Sequence, residues 1–348
     1  MKGFVLAAGF GQRLRPITET VPKPLLPIGN IPLIGFSLKL LARYGITDVI
    51  VNLHHLGKII KEALGDGSAF GVKITYSEEE ELLGTGGGLK KMHEVLEGET
   101  FVVINSDTII DLDLKAVISM HRRKKALATL VLRADPRQEE FGQIEVDADL
   151  RVRRILGQGA AGGRVKPYMF AGVHVVEPRL LEYIPPDVNT CVMRYGYTKA
   201  LVNSEHLHGV VADGYWNDAG TPDRYLQANL DALGQKMKLK HADPLAGYAV
   251  EPRRAVAEVV RMGADVNLGD AVDLLPPVVL GDECKVGAHA VVGPYCMAAS
   301  RVQIGKEARV THSVLLEGAK VEASERLERK IVGRKASLSA DASPARNE

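Results

Sequence analysis

The chain has 348 residues, 46% hydrophobic and 25% charged, with a formal net charge of +1. That length and apolar content can bury a large core and predict two domains, while the balanced charge supplies no global field for polyanions and argues against a nucleic-acid partner. The apolar run at the N-terminus is only about six residues, too short for a signal peptide. No segment approaches the roughly 20 apolar residues of a membrane span, so no membrane partner and a cytoplasmic location are expected. Three cysteines, Cys191, Cys284 and Cys296, lack CxxC spacing and an even count, which predicts buried thiols rather than disulfides or a zinc site.

Through residue 235 short apolar runs alternate with amphipathic segments. "GFVLAA", "DVIVNL", "VKITY" and "TFVVINSD" read as buried strands, and residues 33–44, 56–64, 86–97, 112–124 and 221–233 carry helical spacing. This alternation predicts an α/β fold, a Rossmann-like, mainly parallel sheet with flanking helices and right-handed crossovers. In such sheets ligands sit at the carboxyl ends of the strands, where the loop after the first strand and the Asn105, Ser106, Asp107 triplet both fall. The basic run Arg122 to Lys125 reads as the solvated end of a helix, where cations suit the helix dipole.

The period changes in the C-terminal part. Aliphatic or small residues recur every six positions at Leu268, Leu274, Leu280, Val286, Val292, Ala298, Ile304, Val310 and Leu316. A second row follows at Val272, Val278, Cys284, Ala290, Cys296, Val302, Ala308 and Val314. This hexapeptide repeat resembles a short left-handed parallel β-helix, three hexads to a triangular coil, and predicts about three coils with Cys284 and Cys296 on different faces. The expected organisation is an α/β domain over 1–235, a connector over 236–265, the β-helix over 266–322 and a polar tail over 323–348, disordered after about residue 335.

The loop "LAAGFGQRLRPITETVPKPL", residues 6–25, fits neither common nucleotide fingerprint. A GxGxxG motif fails because Leu14 occupies the third glycine position, and no acidic residue falls between Glu19 and Asp48 to hold a ribose. The Gly-Lys-Ser/Thr ending of a Walker A loop is absent as well. What the loop does carry is cationic and glycine-rich. Gly9 and Gly11 let backbone N–H groups approach an anion, Arg13 adds a planar fork for phosphate oxygens, and Lys23 adds a point charge. Pro16, Pro22, Pro24 and Pro27 restrict the segment that holds Lys23, a design suited to a triphosphate.

The run "LAAGFGQRLRPITETVPKPLLPIGNIPLI", with "LGTGGG", "NSD" and "WNDAGTPDRYLQAN" further on, resembles the nucleoside-diphosphate-sugar pyrophosphorylases, the sugar-1-phosphate nucleotidyltransferases whose pattern is GxGxRLxPxTxxxPKPLLPI. Within that family it is most similar to mannose-1-phosphate guanylyltransferases, and the appended hexapeptide repeat is found in several branches. The resemblance implies that Leu6, Ala8, Gly9 and Gly11 contact base and phosphates, that Arg13 meets the β- and γ-phosphates, and that Lys23 meets the reacting phosphates. It also implies a base pocket at Leu83, Gly84, Thr85 and Gly86, a sugar-phosphate side at Asn105 and Gly172, and Mg²⁺ on Asp107 and Asp218. The catalytic set is therefore expected to be Arg13, Lys23, Asp107 and Asp218.

Departures from the family pattern leave alternatives open. Uridine- and thymidine-specific members often carry glutamine where this chain has the acidic run Glu78 to Glu81, which points to guanine, whose N1–H and N2 amine donate to a carboxylate; a solvated loop is the other reading. Arg164, Val165, Lys166 and Pro167 replace the usual Glu-Lys-Pro, so Lys166 is either a sugar-phosphate contact or a surface lysine. Asp187, Asn189 and Thr190 are candidates for sugar hydroxyl recognition. The substrates implied are a nucleoside triphosphate and a sugar 1-phosphate, best GTP with mannose 1-phosphate or another manno-configured sugar phosphate. The attacking phosphate is already an anion, so His54, His55 and His174 are expected to be structural. Alternatives are a uridylyl- or thymidylyltransferase, a catalytically silent NDP-sugar-binding subunit, or an additional acyl transfer on the β-helix with His289 or His312 as base. A homo-oligomer through the β-helix is expected.

Overall fold

The computed structural model describes residues 1–135, 143–160, 163–250 and 259–340. They form two compact units, one of residues 1–9 with 34–216, the other of residues 10–33 with 217–348.

In the first unit, β1 (Lys2–Leu6), β2 (Asp48–Leu53), β3 (Lys73–Glu78) and β4 (Phe101–Asn105) are the four runs read as strands. They pair in parallel in the order β4, β1, β2, β3. Phe4, Val5, Val51 and Phe101 to Ile104 are fully buried, because helices cover both faces of such a sheet. The helices α1 (Leu33–Arg43), α2 (Gly57–Leu64), α3 (Gly84–Lys91) and α4 (Leu114–Lys124) follow the expected spans. The segment expected as one helix over 86–97 is broken at Met92, with a further turn at His93–Leu96. Asp113 caps α4 by accepting from Ala116 N at 3.1 Å, and Lys125 ends it in a left-handed conformation. Arg122, Arg123 and Lys125 are exposed there, as the basic run predicts. The sheet continues through β5 (Ala128–Arg133), β6 (Gln143–Val146), β7 (Val152–Ile155), β8 (Lys166–Val176) and β9 (Leu207–Val211). The long strand β8 runs antiparallel to β4, β5 and β6, so the parallel core is extended by a mixed flank.

His174 on β8 is fully buried, hydrogen-bonded to the Tyr197 hydroxyl and edge-on to Phe170, and burial pushes its pKa down to about 3. It is neutral when folded, whereas an unfolded histidine titrates near 6.5. Between those values the unfolded chain binds the extra proton, so this contribution to stability is complete above about pH 6.5 and is lost as pH falls, at up to about 1.4 kcal/mol per pH unit. The melting temperature is expected to drop between pH 7 and 5, and less steeply in His174→Phe; an unchanged slope in that variant would assign the pH dependence elsewhere.

The second unit contains the coil. Parallel strands form three ladders: Val260–Met262, Val278–Leu280, Cys296–Ala298, Ser313–Leu315 and Lys330–Val332 in one, with two four-stranded ladders beside it. Val278 faces Cys296 and Val291 faces Arg309, three hexads apart, but Cys296 faces Ser313 and Gln303 faces Lys320, one residue short of three hexads. The inward row therefore passes from Val310 to Leu315, opposite Ala298, and not to Leu316 as the strict period predicts. The shortened turn contains His312, left-handed and stacked on Tyr295 with centroids 5.3 Å apart. The row then continues through Val321, Leu327 and Val332, so strand pairing runs past residue 322 and the coil is longer than expected. Residues 251–258 of the connector and 341–348 of the tail lie outside the described residues. Cys284 and Cys296 are buried free thiols, and Cys191 is half-buried.

Helix α5 (Pro222–Leu233) packs against the coil strands Cys296–Ala298, Ser313–Leu315 and Lys330–Val332. Tyr225 and Leu226 are fully buried, and the Tyr225 hydroxyl donates to Pro27 O at 2.6 Å. Helix and coil thus share a core, and residue 235 does not separate independent parts. Ending the chain at residue 240 is expected to drive it into the insoluble fraction, because large buried side chains worth about 1.5–3 kcal/mol each lose their cover. A soluble truncated chain with the melting temperature of the full chain would contradict the shared core.

Candidate active site

In the first unit the carboxyl ends of β1 and β4 lie side by side, with Ser106 N donating to Leu6 O at 3.1 Å. Asn105 is half-buried, and its carbonyl accepts from Thr108 N at 3.1 Å and Ser37 Oγ at 3.2 Å. Gly172 on β8 adopts φ 83, and a Cβ there would overlap Thr108 Oγ1 and approach Asn105 Nδ2 to 3.4 Å. Only a bare glycine lets β8 pass this close to the loop carrying Asn105 and the half-buried Asp107. The structure thus brings Asn105 and Gly172 together beside Asp107, at the strand ends where a ligand is expected.

Lys166 is not with them. It opens β8, exposed, with Nζ 5.1 Å from the Tyr168 ring centroid and its backbone opposite Val146. At about 3.3 Å per residue, even with the irregularity between Phe170 and His174, it stands roughly 15–20 Å along the strand from Gly172. Asn189 is placed elsewhere again, alongside the glycine turn, where its Nδ2 donates to Leu82 O at 2.8 Å. Thr190 N donates to Leu83 O at 2.9 Å, Gly86 N to Thr190 O at 2.8 Å, and Val192 N to Thr85 Oγ1 at 2.9 Å. Residues 189–192 therefore brace the turn Leu83 to Gly86. Sequence reasoning missed this brace, which joins positions 107 residues apart.

The acidic run splits into three environments. Glu78 is exposed and paired with Lys61 Nζ at 2.8 Å, Glu80 and Glu81 are exposed, and Glu79 is only 5% exposed. Glu79 accepts from Asn52 Nδ2 at 2.7 Å and from Leu83 N at 2.9 Å. At the end of β1, Ala7 and Ala8 are buried and Gly9 is exposed.

In the second unit the loop of residues 10–33 is built from three single turns, Gln12–Leu14, Ile17–Glu19 and Lys23–Leu25. Leu14, Ile17, Pro22, Pro24 and Leu26 are buried and hold it down, leaving Arg13 exposed and Lys23 half-buried. Gly11 is left-handed (φ 64), accepts from Thr18 Oγ1 at 2.9 Å, and has the Lys23 side chain against it. Gly220 lies between two charges, since a Cβ there would be 2.7 Å from Arg13 Nη2 and 2.9 Å from Asp218 Oδ2. Arg13 and Asp218, 205 positions apart in the sequence, thus flank one glycine.

Arg224, which sequence reasoning did not single out, completes this cluster. Its Nη1 reaches both Asp218 oxygens, at 3.1 and 2.9 Å, while Thr221 Oγ1 accepts from its Nε at 3.1 Å and caps α5. The available signal was the Thr-Pro-Asp-Arg start of a helix, where the third residue can fold back over the cap. Mg²⁺ takes oxygen ligands and commonly needs only one or two carboxylates, the rest coming from water and substrate phosphates. Asp218 is 14% exposed and both its oxygens face Arg224 Nη1, so an ion there would share the carboxylate with that guanidinium; among the described residues no group of three or more His, Cys, Asp or Glu side chains forms a metal cage.

A protein-family model described as "Nucleotidyl transferase" matches residues 2–235, and one described as "GMPPB C-terminal domain" matches residues 274–343. The chain belongs to the nucleotidyl transferase family. Its relatives there include a UTP–glucose-1-phosphate uridylyltransferase of Synechocystis, 30% identical over 95% of this chain and 87% of that protein. A mannose-1-phosphate guanylyltransferase of Mycobacterium tuberculosis is 31% identical over 83% of this chain and 82% of the relative. The fold is shared with a solved structure titled as a putative glucose-1-phosphate thymidylyltransferase from Bacillus anthracis, with a TM-score of 0.60 at 24% identity over 70% of this chain and 98% of that one. This nucleotidyl transferase is thus an enzyme of the sugar-1-phosphate class, and none of its described helices is long and apolar enough to cross a membrane.

Proposed function

We propose that the enzyme transfers guanylyl from GTP to mannose 1-phosphate or a closely related manno-configured sugar phosphate. The observation that carries the base and sugar is the double resemblance, to a mannose-1-phosphate guanylyltransferase over most of the chain and to the GMPPB C-terminal domain over the coil. A second reading, uridylyl transfer to glucose 1-phosphate, is favoured by the relative that aligns over 95% of the chain. The acidic run lends guanine little support, because its one buried member is bonded to Asn52 and Leu83.

A sugar 1-phosphate oxygen attacks the α-phosphorus in line, and pyrophosphate leaves with the electrons of the broken P–O bond. The nucleophile is an anion already, so no general base is required. What must be overcome is repulsion between two polyanions and the entropy of aligning them. In this proposal Arg13 takes the outer phosphates, Lys23 the reacting ones, Leu6, Ala8, Gly9, Gly11 and Leu83 to Gly86 hold the nucleotide, and Asn105 and Gly172 border the sugar phosphate. Mg²⁺, held by Asp107 and Asp218, would neutralise phosphate charge. Self-association through the coil belongs to the same proposal, with light scattering on the full chain as its check.

Initial rates with GTP, UTP, dTTP and ATP, each against mannose and glucose 1-phosphates, test the specificity. GTP with mannose 1-phosphate is expected to lead by more than tenfold, about 1.4 kcal/mol; UTP with glucose 1-phosphate in that position would replace the first reading with the second.

A further inference from the structure

Glu79 is a carboxylate taken out of water at the edge of the nucleotide loops. Burying a charge is costly unless hydrogen bonds compensate, and here they run in a chain. Glu79 Oε1 accepts from Asn52 Nδ2 at 2.7 Å, Asn52 Oδ1 accepts from Ala7 N at 2.8 Å, and Glu79 Oε2 accepts from Leu83 N at 2.9 Å. Asn52, 2% exposed, is the polar residue inside the apolar strand β2. Gly88 of α3 closes the pair from behind, for a Cβ there would stand 2.7 Å from Glu79 Oε1 and 2.8 Å from Asn52 Nδ2. The backbone of Glu79 is itself pinned, its N–H donating to Leu53 O at 2.8 Å and its carbonyl lying 2.9 Å from His54 Nδ1.

We infer that Glu79 is a positioning residue for the nucleotide, acting through Asn52 and Leu83 N to set the spacing between the loop that begins at Ala7 and the glycine turn that begins at Leu83. This rests on the reading that both loops hold the triphosphate. The carboxylate serves the protein's own backbone and leaves base discrimination to other groups, so its effect is the same for a purine or a pyrimidine nucleotide.

The donor and acceptor pattern supplies the test. In Glu79→Gln the amide can accept from Leu83 N only by turning its own N–H₂ toward Asn52 Nδ2, and flipping Asn52 merely moves the donor clash to Ala7 N. Asn52→Asp alone places two carboxylates together. In the double variant Glu79→Gln with Asn52→Asp, the new carboxylate accepts from Ala7 N and from the N–H₂ of the new amide. The amide oxygen in turn accepts from Leu83 N, so every bond returns with the net charge kept. Calorimetric binding of GTP and of UTP, with Mg²⁺ and without sugar phosphate, is compared across wild type, Glu79→Gln and the double variant. Amide exchange at Ala7 and Leu83 is followed on the same proteins.

Glu79→Gln is expected to weaken both nucleotides by about tenfold or more and to speed exchange at both amides, and the double variant to recover to within about threefold. KM for the sugar phosphate should stay constant throughout. Recovery of UTP but not GTP in the double variant would make Glu79 a reader of the base and overturn the inference, as would normal binding in Glu79→Gln. Restored exchange in a protein that binds neither nucleotide would sink the nucleotide reading itself and reduce the pair to a structural contact.

Discussion

Asp218→Asn and Asp107→Asn are each expected to lower turnover at least about a hundredfold, roughly 2.7 kcal/mol of transition-state stabilisation, with the melting temperature nearly unchanged in Asp107→Asn and lowered in Asp218→Asn, which breaks a mostly buried ion pair. Asparagine keeps the shape of either side chain and removes one negative charge, so metal binding weakens while packing stays. For Asp218 the surroundings make the prediction sharper. Arg224 lies 2.9 Å from its Oδ2 and Arg13 lies across Gly220, so the asparagine variant leaves two guanidiniums facing a neutral amide. If both aspartates serve one ion, the double variant should lose much less than the product of the two single losses. Near-normal turnover of either single variant at limiting Mg²⁺ would reduce that aspartate to a turn residue.

Lys23→Met is expected to cost between about a hundredfold and a thousandfold in kcat, the scale seen when one preorganised charge contact to a transition state is removed. Lys23 begins a single helical turn between the buried Pro22 and Pro24, with its stem against Gly11. Methionine keeps that stem and its packing while deleting the ammonium, so a fall in kcat with intact stability isolates the charge. Lys23→Arg should recover part of the loss, because charge returns but the longer planar fork does not occupy the same point. A Met variant that raises KM for the triphosphate and leaves kcat unchanged would make Lys23 a ground-state binder and not a group that meets the reacting phosphates.

The sequence made some of this legible and hid the rest for physical reasons. Strands buried on both faces are written as unbroken apolar runs, so β1, β2 and β4 could be read directly. The coil was legible by its six-residue period until the chain dropped one residue near His312, where Leu315 and Leu316 are both apolar and the pattern cannot tell which one turns inward. Beyond residue 322 the inward Leu327 and Val332 sit among Glu325, Arg326, Glu328, Arg329 and Lys330, and charge on the outer face read as tail. In the candidate site, Arg13, Lys23 and Asp218 stood out by their motif. Arg224 and the brace at residues 189–192 did not, since their roles depend on contacts that no local spacing encodes. Asn52 offered a usable signal: a polar side chain within "DVIVNL" must find a partner once buried. The unit boundaries were hidden for the same reason, because nothing local says that the loop of residues 10–33 and helix α5 pack with the coil.

A sugar-1-phosphate nucleotidyl transferase moves a nucleotidyl group and releases pyrophosphate. The most direct measurement follows GTP labelled at the α-phosphorus, incubated with the full-length enzyme, Mg²⁺ and mannose 1-phosphate. Label is expected in a sugar nucleotide that survives phosphatase treatment, together with one unlabelled pyrophosphate per labelled product. Label in free GMP, release of orthophosphate in place of pyrophosphate, or no turnover with any triphosphate and sugar 1-phosphate would contradict such a transfer.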